Sequence, residues 1–436
     1  MLFQRPLHSL ERRVLRGHNL PVVDEANFHK DAREVPADRQ AIPQDDIEEI
    51  WQLGEKLYAS GMHPMVSICL RRGGDMLLNR CIGYAGDFDA PQPRPATLDT
   101  PVCLFSASKV VAAALIHKLA EEGKINLLHP VSYYIPQFAQ GGKANITIYQ
   151  LLCHRAGVPG VPDDVPVETL YDTEKTLEII CRQKALDIDG RVVAYHALTG
   201  GFILAELVRV VTGLDINQYN DKVFRKPLGM DYFSFGLPES VHHKAAENLV
   251  TGLPNIGPVG WQLEKILGAK VDAAVEISNK PEFLSAQVPS GNLYATAEEA
   301  CRFFEMLVDN GQWQGKSVMS PLTVNQLTRE AAPPQFDRSL VFPVRYSAGA
   351  MLGGRVFGMF GRHSPNAFGH IGFSNIFCWA DPQRELSVAI LTSGKPVIGS
   401  HLGSMLRLID TVNQYCYPCV DMEEWRSQRP SYDAAR

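Results

Sequence analysis

The run Phe105-Ser106-Ala107-Ser108-Lys109 sets a hydroxyl and an amine three residues apart, directly before the apolar stretch Val110 to Ile116. Residues three apart share one face of a helix. A helix opening near Ser106 therefore places the Ser106 hydroxyl beside the Lys109 amine at its N-terminus. Serine becomes a useful nucleophile when a base takes its proton, and lysine becomes that base when its own charge is disfavoured. A free lysine holds its proton to about pH 10.4. Burial and the positive end of a helix both lower that value. The pairing suits a nucleophile, Ser106, beside its base, Lys109. Ser108 lies one residue, not one turn, from Lys109 and does not share the face.

Elements on both sides must hold this pair in place. A strand from Val102 to Phe105 leads into it, and the helix runs on to Gly123. Upstream, Asp45-Asp46 opens a helix through Tyr58 that carries Ile47, Ile50, Trp51 and Leu57 on one stripe. Strands Met65 to Leu70 and Met76 to Ile82 flank Arg71-Arg72-Gly73-Gly74-Asp75, which has hairpin chemistry. Residues 125 to 285 read as helices and loops: Thr147 to Cys153, Glu174 to Gln183, Ala197 to Val211 and Gln218 to Phe224. Beyond them, Thr296 to Asn310 is amphipathic through Ala297, Ala300, Phe303, Phe304 and Leu307. Strand character returns at Arg345 to Met351, Ala367 to His370, Asn375 to Ala380 and Leu386 to Leu391. A helix from Ser400 to Tyr415 follows, with Leu402, Met405, Leu406 and Ile409 in register. This order predicts an α/β domain split between residues 45–124 and 286–436, a helical domain over 125–285, and an N-terminal extension over 1–44. A cleft between such lobes is where a site forms.

Composition narrows the class. The 436 residues carry a net charge of −6, with 45% hydrophobic and 21% charged content, which is ordinary for a soluble globular protein and gives no reason to expect a basic face for nucleic acid. The basic stretch Glu11 to Arg16 reads as a solvated face. No segment reaches the roughly 18 apolar residues that span a bilayer, and Met1 to His8 lacks the apolar core of a secretion signal. Nine cysteines, several in apolar surroundings (Cys69, Cys103, Cys181, Cys378), read as reduced core thiols of a cytoplasmic protein. Cys416-Tyr417-Pro418-Cys419 lacks the second pair that zinc needs. The expectation is a cytoplasmic protein with no metal, no cofactor, no membrane and no nucleic-acid partner, its oligomeric state left open.

Further motifs accompany Ser106 and Lys109. Tyr195-His196-Ala197 precedes a helix, Gly369-His370-Ile371-Gly372 closes a strand, and Ile146 to His154, Pro227-Leu228-Gly229-Met230 and Ser290 to Thr296 fall between and after. With these, residues 45 to 415 resemble the serine hydrolases of the β-lactamase and penicillin-binding-protein superfamily, most closely the class C β-lactamases and family VIII carboxylesterases. The resemblance implies a β-lactamase-like α+β fold, an antiparallel sheet flanked by helices with a mostly helical second lobe. It implies Ser106 as nucleophile, Lys109 as base and Tyr195 as proton shuttle, the last favoured as a tyrosinate by the lysine charge so that the two titrate as a unit. The oxyanion would meet the backbone N–H groups of Ser106 and Phe373, the latter just after His370-Ile371-Gly372.

Two positions depart from the penicillin-recognising pattern. Ala197 stands where those relatives carry an asparagine, and His370-Ile371-Gly372 stands where they carry Lys-Thr-Gly, which exchanges a permanent cation for a titratable one. Both changes favour a small-molecule ester over a carboxylate-bearing lactam, so the expected activity is that of a serine carboxylesterase. The same site would also suit a β-lactamase, a D-amino-acid peptidase or an acyltransferase, and the fold could serve a catalytically silent binding protein. His154, His196 and His242-His243 read as scaffold or surface residues. Lys395, in Thr392-Ser393-Gly394-Lys395, reads as part of a turn.

Overall fold

A computed structural model describes residues 26–162, 164–255, 257–399 and 401–419. The basic stretch Glu11 to Arg16 and the first 25 residues of the expected extension lie outside them. The remainder of that extension is not an irregular appendage. Phe28–Lys30 (β1) forms an edge strand of the main sheet, paired with the strand Asp75–Gly86.

That sheet is built from both ends of the chain. After the helix Gln44–Ala59 (α1) come Met65–Arg72 (β2) and Asp75–Gly86 (β3), joined through Gly73 and Gly74 at φ 57° and 89°. Positive φ at both positions is what a tight hairpin turn of this hand requires. Val102–Cys103 (β4) then leads to the helix Ser108–Glu121 (α2), and Thr199–Thr212 (α3) follows much later. Leu293–Ala295 (β5) and the helix Ala297–Val308 (α4) return the chain to the sheet. A hairpin of Gln335–Asp337 (β6) and Phe342–Val344 (β7) precedes the last four strands. These are Met351–Leu352 (β8), Phe368–Gly372 (β9), Ile376–Asp381 (β10) and Leu386–Thr392 (β11), and His401–Tyr415 (α5) comes after them. The strand order is β1-β3-β2-β11-β10-β9-β8, every neighbour antiparallel, with Arg94–Pro95 appended to β3.

Period-two alternation explains why helices cover both faces. In β2, Val66, Ile68 and Leu70 join one apolar cluster while Met65 and Cys69 join the other; in β11, Leu386, Val388 and Ile390 divide the same way from Ala389 and Leu391. The larger side chains meet α1 and α5, which pack on each other. The other face is lined by small residues, Cys69, Cys81, Cys378 and Ala389, and α4 lies across it. Helix α4 starts at a reciprocal cap between Thr296 and Glu299. All nine cysteines are free thiols, eight of them buried. No helix among the described residues is long and apolar enough to cross a membrane.

Three expectations change. Arg345 to Met351 is not a strand, because Ser347 and Ala350 bond each other across a tight turn and only Met351–Leu352 pairs with β9. On α5 the buried stripe is Met405, Leu408, Ile409 and Val412, and Leu402 and Leu406 face outward. Residues 125–285 are helices and turns among the described residues, except that Ser234–Phe235 pairs with β5, which in turn pairs with β4. This small sheet anchors the approach to Ser106.

Candidate active site

The approach to Ser106 is bent. Leu104 N–H bonds the Leu293 carbonyl at 2.8 Å and continues the pairing of β4 with β5. Phe105 then takes φ 46°, a left-handed conformation rare for an aromatic residue and costing about 1–3 kcal/mol. A 3₁₀ turn over Phe105–Ala107 carries the chain into α2, which begins at Ser108 rather than Ser106. The Ser108 hydroxyl donates to the Phe105 carbonyl and accepts from Leu293 N–H at 2.9 Å, so it braces the bend. Within Phe105 to Lys109 every residue is buried except Ser106, which is half-exposed. Its backbone N–H belongs to the first turn, where helix geometry supplies no acceptor.

Lys109 is buried, with three partners on Nζ: the Ser106 hydroxyl at 3.1 Å, the Ala197 carbonyl at 2.6 Å and the Ser290 carbonyl at 2.9 Å. Burial holds its pKa well below the lysine range. A neutral amine has two N–H donors and one lone pair. Two carbonyls take the donors, and the lone pair is left for the Ser106 O–H. Behind the amine, a cavity of about 30 Å³ lies between Leu151, His154, His196, Gly200 and Ser290, room enough for a water molecule.

Tyr195 lies in the loop before α3, its ring under the Lys109 amine at 4.8 Å to the centroid. Burial pushes its pKa up, the Asp337 carboxylate pushes the same way, and a hydrogen bond to Ser106 opposes both. Both shifts run against the expected tyrosinate beside a charged lysine. Asp337, at the end of β6, holds the loop: its carboxylate accepts from Tyr195 N–H at 3.1 Å, from the Tyr346 hydroxyl at 3.0 Å, and from Ser339 and Leu340 N–H at 2.8 and 2.9 Å. The His154 ring stands between Tyr195 and Tyr346, 4.9 Å from each, and its Nδ1 accepts from His196 N–H at 3.1 Å. Asp337, Tyr346 and the two carbonyls on Lys109 escape sequence reading, since none belongs to a motif at fixed spacing.

His370, Gly372 and Phe373 close the other side through β9. His370 is buried against Tyr195, with ring centroids 5.8 Å apart. Burial and the Lys109 amine hold its pKa down to about 3, while its bond to the Ile371 carbonyl opposes them. His370 is therefore a neutral ring at ordinary pH, not the titratable cation expected there. Gly372 lies where β9 meets the bend: a Cβ on it would stand 2.4 Å from the Leu104 carbonyl, so no other residue fits. The Phe373 ring meets Phe105 edge to face at 5.5 Å.

Comparison with known proteins identifies the family and the fold. A family profile described as beta-lactamase matches residues 52–403. The Mycobacterium tuberculosis protein named esterase/beta-lactamase LipL is 27% identical over 312 residues, 68% of this chain and 70% of its own. A penicillin-binding-protein homologue from Caulobacter crescentus superposes with a TM-score of 0.73 at 27% identity, covering 85% of this chain and 98% of that one. A family VIII carboxylesterase superposes with a TM-score of 0.75 at 24% identity, covering 89% and 100%.

Proposed function

The chain belongs to the β-lactamase family, and on that premise we propose that it is a serine hydrolase cleaving small carboxylic esters through an acyl-enzyme on Ser106. The observation that carries the reading is the set of partners on Lys109, two carbonyls and one hydroxyl, which suits a neutral amine whose lone pair faces Ser106. As Ser106 Oγ attacks the ester carbonyl, its proton passes to Lys109 Nζ. The tetrahedral oxyanion meets the backbone N–H groups of Ser106 and Phe373. Collapse breaks the bond to the leaving alkoxide, which takes a proton from the Tyr195 phenol; Tyr195 recovers one from Lys109. Water then attacks the acyl-enzyme with the same groups in reverse order.

Preference for esters rests on what the site offers a substrate. His370 is neutral and turned to its own neighbour's carbonyl, and Ala197 supplies a backbone carbonyl to Lys109 in place of a side-chain amide. Neither attracts a carboxylate. The relative named esterase/beta-lactamase makes the lactam comparison worth running alongside. Incubation with p-nitrophenyl butyrate is expected to give turnover, and intact mass a single butyryl adduct on Ser106, both lost in Ser106→Ala. Nitrocefin is expected to turn over more slowly. Full activity in Ser106→Ala would sink the nucleophile assignment; faster nitrocefin turnover would sink the ester preference.

A further inference from the structure

A second buried lysine lies beside the bend, and the chemistry above does not use it. Lys395 follows β11 and, within its turn, is only 1% exposed. Its Nζ donates to the Thr392 carbonyl at 2.6 Å and faces the Phe105 ring, 5.1 Å from the centroid. The titratable groups facing it are the Cys103 thiol of β4 and His63 of the loop before β2, with His401 of α5 against His63. No ion pair reaches Lys395 among the described residues. Burial brings its pKa down to about 7, with the thiol opposing. A buried cation without a counter-ion destabilises a fold, and an apolar residue of the same length is generally the more stable choice.

The same turn supports the opposite side of the bend. The Pro396 carbonyl accepts from the Ser374 hydroxyl and from Asn375 Nδ2 at 2.9 Å, and the Thr392 hydroxyl donates to the Asn375 carbonyl at 2.9 Å. Ser374 and Asn375 hold φ 49° and 66°, so the loop after Phe373 is as unfavourably bent as Phe105 itself. Two bent segments, one ending in Ser106 and one starting at Phe373, touch through their phenyl rings. Residues 392–396 lie beneath both.

We propose that Lys395 is a positioning residue for acyl transfer: with its side chain under Phe105 and the Pro396 carbonyl under Ser374 and Asn375, this turn sets the spacing of the Ser106 and Phe373 N–H groups around the oxyanion. The inference rests on Ser106 being the nucleophile. Oxyanion donors act only at close range, and a displacement of about 1 Å can cost about 100-fold in rate. The lysine is thus kept for geometry at the expense of stability.

Lys395→Met tests this directly, because it keeps the length and removes the charge. The expected result is a kcat on p-nitrophenyl butyrate lower by about 10- to 100-fold, KM unchanged, and Tm raised by a few degrees. A lysine that merely braces the fold would lose Tm and activity together, and that outcome, or an unchanged kcat, overturns the proposal. Phe105→Leu is the second variant: it leaves Lys395 and removes the ring above it, and the same fall in kcat at constant KM is expected. Wild-type kcat there overturns the proposal whatever Lys395→Met does. Activity persisting in Ser106→Ala would strike the nucleophile reading instead, so the two failures are told apart.

Discussion

Lys109 and Lys143 are both buried amines set against backbone carbonyls, and the count of those carbonyls differs by one. Lys143 Nζ donates to the Gln140 carbonyl at 2.7 Å, to Cys181 at 3.0 Å and to Gln183. Three acceptors use all three donors of an ammonium, so the side chain clamps residues 140–143 to the end of the helix Thr173–Arg182. Lys109 has two carbonyls and the Ser106 hydroxyl, so a neutral amine there would keep its lone pair for Ser106. Burial lowers the pKa of both. A depressed pKa therefore does not by itself mark a base; the acceptors around the nitrogen decide whether it braces or reacts.

The paired variants Lys109→Met and Lys143→Met put that contrast to its strongest test. Lys109→Met is expected to lower kcat/KM for p-nitrophenyl butyrate by about 10²- to 10⁴-fold, and to cost less stability than Lys143→Met because two carbonyls rather than three lose a donor. Lys143→Met leaves three carbonyls without a donor and is expected to cost about 2–5 kcal/mol in urea unfolding, with kcat/KM per folded molecule unchanged. Exchanged phenotypes would break the comparison. A smaller effect is expected at Asp337, whose four bonds fix the Tyr195 loop. Asp337→Asn turns an amide N–H₂ toward donors, and kcat should fall about 10-fold from misplacement of Tyr195; a change confined to Tm would make Asp337 a brace like Lys143.

The smallest expected effect concerns pH. Burial holds His370, His196 and His63 down to about 3 and His117 down to about 4. The unfolded chain takes up these protons near pH 6.5 while the folded one does not. The stability each neutral ring contributes is complete above about pH 6.5 and is lost as pH falls toward 3–4. Each ring adds a slope of at most about 1.4 kcal/mol per pH unit across that window. Urea midpoints measured from pH 8 to 4 should fall, and His117→Gln should flatten the fall by about one proton. A flat profile down to the carboxylate range would show these rings are not buried neutral in solution.

What could be read from sequence was local. Ser106 and Lys109 are three residues apart, the Gly73-Gly74 turn and the amphipathic helix opening at Thr296 are each set by near neighbours, and all appear in the structure. Tyr195 and His370 come to the site because motif order placed them there, yet their protonation did not follow. Charge depends on burial, and burial depends on strands paired across hundreds of residues. The Ala197 and Ser290 carbonyls were invisible for another reason, since every residue has one. The turn at Lys395 could be read from its place after a strand, but its burial could not, since the Leu249 to Gly394 bridge draws that turn inward.

One pairing bears on how the molecule is made. β2 is bonded to β3 on one side and to β11 on the other, and about 300 residues separate β2 from β11. On a translating ribosome, at roughly 5–20 residues per second, the open edge of β2 waits some tens of seconds for its partner. During that wait Val66, Ile68 and Leu70 present an apolar strand with free backbone groups, a template for pairing with the wrong chain. The sheet that bears β9, and with it the His370 to Phe373 side of the site, is complete only after Leu386–Thr392 has emerged. Synthesis order thus withholds the full surroundings of Ser106 until Leu386–Thr392 has been made.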